Sequence, residues 1–161
     1  MAKFKPMPPL AELKEAFDYD PETGFFCVKY GRGSLKAGDL VGKKLFVRFK
    51  NRSLSANRLA WYMGTGKDPL ELEVDHIDHD RTHNYLSNLR LATRVQNMHN
   101  VRRPGYHYEK DRNKYRVIMK IDGKSVHIGR FDSAEEAQRA YREKAVELRG
   151  AFTPQEWKKA S

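Results

Sequence analysis

The chain has 161 residues, with 31 Lys or Arg against 21 Asp or Glu and a formal net charge of +10 at pH 7. Hydrophobic residues make up 39% and charged residues 32%, and eight Tyr, eight Phe and two Trp supply bulk for one ordinary domain or two small ones, which argues against wholesale disorder. No apolar run approaches the roughly 18 residues that span a bilayer. The opening Met1-Ala2-Lys3-Phe4-Lys5-Pro6 has no signal-like apolar stretch. A single cysteine, Cys27, excludes an internal disulfide or a Cys-rich zinc site, and its apolar setting predicts a buried structural thiol. These features predict a cytoplasmic protein with no membrane partner, whose partner is a polyanion.

Residues 1–73 read as a helix followed by a small sheet. Leu10, Leu13 and Phe17 recur at helical spacing after Pro8-Pro9, and Asp18-Tyr19-Asp20-Pro21-Glu22-Thr23-Gly24 ends that helix in a turn. Residues 24–30 and 44–50 have strand composition, separated by a connector holding Gly31, Gly33, Gly38 and Gly42. Ala56-Asn57-Arg58-Leu59-Ala60-Trp61-Tyr62-Met63 predicts a short helix closed by Gly64 and Gly66, with Leu59, Trp61, Tyr62 and Met63 in the core.

The centre differs in charge from its flanks. Residues 1–73 carry +4 (13 basic, 9 acidic), residues 74–100 carry zero (three of each), and residues 101–161 carry +6 (15 basic, 9 acidic). Four of the six histidines, His76, His79, His83 and His99, fall in the neutral stretch. There Val74-Asp75-His76-Ile77 predicts a short strand. Thr93 with Gln96 three residues on is a capping box that predicts a helix from Thr93. Val95 and Met98 are expected to face the core, and Asn97 and Asn100 to share another edge. Strand, polar loop and capped helix can bring an Asp, a His and an Asn together. That set suits phosphodiester hydrolysis: oxygen ligands for a hard divalent cation, an imidazole as general base, and an amide to fix its tautomer. An isolated Asp-His pair is usually a solvated turn, and a lone Asn a cap. The argument rests on the ordered set across 75–100.

This stretch resembles the HNH endonucleases with a ββα-metal site, especially phage and intron-encoded homing enzymes. The match runs through Asp75-His76-Ile77-Asp78, Asn84, Asn88-Leu89-Arg90 and Asn97. The resemblance implies His76 as general base, Asn88 as the residue that orients it, and Asp75 and Asn97 as metal ligands. Asn84 and Asn100 are implied as supporting residues that tie loop and helix together. Many HNH enzymes have a histidine where Asn97 stands. The oxygen-only set here implies one divalent ion, magnesium or manganese. The implied reaction cuts DNA to a 5′ phosphate and a 3′ hydroxyl, in a bacterial or phage-infected cell. The alternative is a catalytically inactive HNH-fold DNA-binding regulator.

After the connector Arg102-Arg103-Pro104, residues 105–150 form a second unit. Strands are predicted over 105–110, 114–121 and 124–131, with turns at Asp111-Arg112-Asn113 and Asp122-Gly123. Tyr115, Val117, Met119 and Ile121 alternate with Arg116, Ile118 and Lys120, so one face packs and the other carries cations. Ser133-Ala134-Glu135-Glu136 caps a helix running to about Arg149, with Ala134, Ala137, Ala140, Tyr141, Ala145 and Leu148 as its apolar stripe. This pattern resembles the APETALA2-type DNA-binding domain, in which the sheet enters the major groove. On that resemblance Arg112, Lys114, Arg116, Lys120, Lys124, His127 and Arg130 contact double-stranded DNA. Residues 151–161 form a tail whose Phe152 and Trp157 dock back onto the protein. The fold class expected is therefore α+β: a supporting part at 1–73, an HNH motif at 74–101, a DNA-binding module at 105–150, then the tail. One nuclease site per chain implies a monomer making one cut per visit, unless two chains meet on the DNA.

Overall fold

The computed structural model describes residues 5–31, 33–42, 45–99, 105–121, 123–154 and 157. The chain divides into two units, Met1–Asn97 and Met98–Ser161, and the architecture is α+β. Asn100, the Arg102-Arg103-Pro104 connector, Asp122 of the second hairpin turn and most of the tail lie outside the described residues.

In the first unit α1 (Leu10–Ala16) follows Pro9 and stops after seven residues. The expected helical position of Phe17 is corrected here: Phe17 turns extended (φ −136°, ψ 144°) and opens β1 (Phe17–Tyr19). It pairs antiparallel with Val28 of β2 (Phe26–Val28), which in turn pairs with β3 (Leu40–Val41) in the glycine-rich connector. The helical spacing marked a core residue correctly. Phe17 is buried and meets Phe26 edge-on at 6.4 Å, a contact that comes with the β1–β2 ladder. β4 (Phe46–Phe49) and β5 (Arg52–Ser55) form a hairpin whose second strand the sequence did not signal.

Ser55 leads directly into α2 (Ala56–Thr65), which ends at Gly66 in the left-handed conformation (φ 74°) with its N–H on the Tyr62 carbonyl. Leu59 and Ala60 are fully buried, whereas Trp61, Tyr62 and Met63 pack against the core half-buried. Full burial of a side chain such as Leu59 or Phe26 contributes roughly 1.5–3 kcal/mol. Val74 and Leu89, from the two strands that carry the motif, belong to this same cluster.

The second unit has β8 (Tyr106–Glu109), β9 (Lys114–Ile121) and β10 (Lys124–Phe131) in one antiparallel sheet, with β9 in the centre. The predicted alternation holds. Val117 and Met119 are buried, and with Tyr106, Tyr115, Ile121 and Phe131 they form a cluster with Ala137, Tyr141 and Ala145 of α4 (Ala134–Arg149). The Ser133 hydroxyl accepts the Glu136 N–H at 3.1 Å, as the capping box requires. Leu148, expected on the apolar stripe, is 40% exposed in the helix's last turn. Trp157 docks on this unit, edge-on to Tyr141 at 5.9 Å.

Candidate active site and nucleic-acid face

The motif folds as an antiparallel ribbon of β6 (Glu73–His76) and β7 (Leu89–Ala92), followed by α3 (Arg94–His99). The capping box forms reciprocally: the Gln96 N–H reaches Thr93 Oγ1 at 3.2 Å, and the Thr93 N–H reaches Gln96 Oε1 at 2.8 Å. Asn57 holds this ribbon from α2, its amide donating to the Val74 carbonyl at 2.6 Å. Arg58 donates to the carbonyls of Leu72 and Leu70 at 2.7 and 2.8 Å. Neither anchor was expected from the sequence. Both lie in the stretch Ala56-Asn57-Arg58-Leu59, and no spacing rule links that stretch to β6.

Strand parity sends Val74 and His76 to one face of the ribbon and Glu73 and Asp75 to the other. On the first face His76, 7% exposed, lies with Nε2 3.2 Å from Asn84 Oδ1. Asn84 is fully buried, and its Nδ2 donates to the carbonyls of Gly42 and Thr82, both at 3.3 Å. Its oxygen therefore faces the imidazole, where it can accept a hydrogen bond from Nε2. The residue beside His76 is Asn84 rather than the expected Asn88. Asn88 accepts the Asp78 N–H at 3.0 Å and donates to Asp78 Oδ1 and the His83 carbonyl, both at 2.9 Å. Asn88 thus shapes the loop, while Asn84 touches the imidazole.

The N-terminal part holds that loop. The Tyr19 hydroxyl donates to the Asn84 carbonyl at 2.8 Å, and burial raises its pKa well above the usual tyrosine value. The Leu86 N–H reaches the Pro21 carbonyl at 2.8 Å. Gly24, at φ +77°, brings its backbone against residues 84 and 85 so closely that a Cβ placed there would lie 2.3 Å from the Tyr85 nitrogen.

Asp78 is the centre of a second polar cluster. His83 Nδ1 lies 2.7 Å from Asp78 Oδ2, and the Tyr85 hydroxyl lies 3.4 Å from the same oxygen. Burial alone would raise the Asp78 carboxyl. Hydrogen bonds from His83, Asn88 and the Asp80 N–H outweigh it and hold Asp78 below the usual range. The bond to Asp78 holds His83 above its usual value. A lowered acid stabilises the fold above its unfolded pKa, and that contribution is lost as the pH falls through the folded value. A raised histidine stabilises below its unfolded pKa, and its contribution is lost as the pH rises through the folded value. The pair therefore supports the loop fully between about pH 4 and 6.5, the ordinary values of the two groups. An NMR titration is expected to place His83 above about 6.5, falling back toward it in Asp78→Asn. A His83 value that does not move in that variant would break the pairing.

On the opposite face Asp75 is 7% exposed, and Arg90, directly across the ribbon, donates Nε and Nη2 to its Oδ2 at 2.8 and 2.7 Å. The Asn97 amide reaches from α3 to the Glu73 carboxylate. Glu73 and Asp75 thus carry carboxylates on one side of β6, and Asn97 joins Glu73 through its amide nitrogen; carboxylate and amide oxygens are donors of the kind a hard divalent cation takes. By donor chemistry the residues fit such an ion, with Arg90 sharing Asp75. Among the described residues no group of three or more His, Cys, Asp or Glu is arranged to hold a metal. Turning Asn97 toward Glu73 points Val95 and Met98 the other way. Both are 62% exposed, which corrects their expected core position.

In the second unit the outward sheet face follows from the register. Lys114, Arg116, Ile118 and Lys120 of β9 share it with Ser125, His127 and Arg130 of β10 and with His107 and Glu109 of β8. Arg112 is exposed in the turn before β9. Lys114 pairs with Asp132. Lys124 is corrected: it stands opposite Ile121, on the side that packs toward α4.

Residues 54–99 match the sequence model of a family described as HNH endonuclease. The chain is also 36% identical over 91 residues to "Uncharacterized HNH endonuclease L560" of Acanthamoeba polyphaga mimivirus, a match covering 54% of this chain and 48% of that protein. The chain therefore spans about half the length of this curated relative. No solved structure matches it. Residues 54–99 are thus similar to HNH endonucleases, and Asp75, His76, Asn84, Asn88 and Asn97 all lie within that stretch.

Proposed function

We propose that this protein is a metal-dependent, homing-type HNH endonuclease that hydrolyses phosphodiesters in double-stranded DNA, leaving a 5′ phosphate and a 3′ hydroxyl. The observation that carries the reading is the set of residues that one short motif holds in place: His76 at the end of β6 against the buried Asn84, and next to it Asp75, on the same side of the strand as Glu73 and its partner Asn97. On this reading His76 removes the proton of the attacking water through Nδ1, and Asn84 holds the imidazole in the required tautomer. Asp75 and Asn97 would hold magnesium or manganese, which would supply charge for the scissile phosphate and the leaving 3′ oxygen. Arg90 keeps Asp75 in place.

The second unit is proposed as the part that grips DNA. Its three strands and one helix have the order of an APETALA2-type module, and its outward face carries Lys114, Arg116, Lys120, His127 and Arg130, with Arg112 at its turn. Lys124 lies off that face.

A supercoiled-plasmid assay tests the proposal. Nicked circles are expected with magnesium or manganese and none with EDTA. A protein that retards the plasmid in a gel yet leaves it intact in either metal is instead an inactive HNH-fold DNA-binding regulator.

A further inference from the structure

The outward face of the β8–β10 sheet carries an acid among its cations, and two arginines rest on it. Arg130 Nε donates to Glu109 Oε2 at 2.7 Å, and Arg116 Nη1 donates to Glu109 Oε1 at 3.3 Å. Each strand contributes one member: Glu109 from β8, Arg116 from the central β9, and Arg130 from β10. The Glu109 side chain is 17% exposed, and chiefly its bond from Arg130 keeps the carboxyl ionised to low pH.

A carboxylate on a face that grips phosphate weakens the grip, so simple charge attraction gives it no place. Arg116 and Arg130 stand directly opposite each other on adjacent strands, where like charges repel. Glu109 bridges them, relieves that repulsion and fixes both guanidinium planes. A phosphate makes little demand on such fixity, because a flexible lysine serves it as a point charge. A guanine edge does demand it, because N7 and O6 must meet two N–H groups in one plane. Arg130, bound through Nε, keeps its Nη1 and Nη2 fork for such an edge. Arg116 has its Nε buried without a hydrogen-bond partner among the described residues, so its terminal nitrogens are the part presented.

We propose that Glu109 is a specificity-determining positioning residue, which holds Arg116 and Arg130 as readers of guanine edges in the major groove. The inference rests on the reading of this sheet face as the DNA-binding surface.

The test is selection of duplexes from a randomised pool by the full chain in EDTA, followed by affinity measurements on the enriched duplex and a scrambled one. The wild-type chain is expected to enrich a motif with guanine at two or more positions, and Arg116→Ala and Arg130→Ala each to lose part of that preference. Glu109→Gln and Glu109→Ala are expected to hold the scrambled duplex as tightly as wild type or more so, while discrimination falls roughly tenfold. If Glu109→Ala disturbs the sheet, the near-isosteric Glu109→Gln carries the measurement. A Glu109→Gln chain that keeps both motif and discrimination overturns this inference alone, as does an enriched motif without guanine. A wild-type chain that retards no duplex overturns the DNA-binding reading, and this inference with it.

Discussion

Replacing His76 by alanine is expected to cut plasmid nicking by roughly 10²–10⁴, the usual share of general-base assistance, while DNA retention stays at the wild-type level. The separation follows from where His76 sits. Its imidazole is 7% exposed against Asn84 in the first unit, whereas the cationic sheet face belongs to the second. Asn84→Ala is expected to slow cleavage through the same imidazole, by releasing its tautomer. If His76→Ala nicks as fast as wild type, the assignment of the base is wrong.

Gly24→Ala is expected to damage the site from sixty residues away. A Cβ at φ +77° would lie 2.3 Å from the Tyr85 nitrogen and 2.4 Å from the Asn84 carbonyl carbon, both rigid backbone atoms. The strained conformation and the displaced loop together are worth on the order of 3 kcal/mol, a fall in melting temperature of roughly 12–24 °C for a unit of this size. Calorimetry on the full chain measures it. The surviving folded protein is also expected to nick slowly, because residues 84 and 85 must move to admit the methyl group. A melting temperature within about 2 °C of wild type would show that the backbone does not pack as described.

Where sequence rules are local, they located structure well. The capping boxes at Thr93 and Ser133 start α3 and α4, and period-two alternation marks β9 with its buried and cationic faces. Failures came where a distant partner decides. Phe17 has helical spacing but pairs with β2, where it meets Phe26. The β4–β5 hairpin turns through Lys50, at φ 50°, and Asn51, without the glycine that signals such turns. The choice between Asn84 and Asn88 turned on burial beside His76, which depends on the carbonyl of Gly42 and the hydroxyl of Tyr19. Lys124 was misplaced by a single step of parity, set by the hairpin register opposite Ile121. The anchoring bonds of Asn57 and Arg58 are not legible in the sequence, since their partners at residues 70–74 are distant along the chain.

The bonds from Tyr19, Pro21 and Gly42 to residues 84–86 separate resemblance from autonomy. The stretch that matches the HNH endonuclease model runs over 54–99, yet the loop beside its imidazole hangs from residues 19–42. A graft of the recognisable stretch into another host would carry Asp75 with Arg90 and Asn97 with Glu73, but leave behind the braces of the loop that places Asn84 against His76. Any rearrangement that moved the motif would have to bring the first half of this chain with it, or find a new wall for Asn84 to lean on.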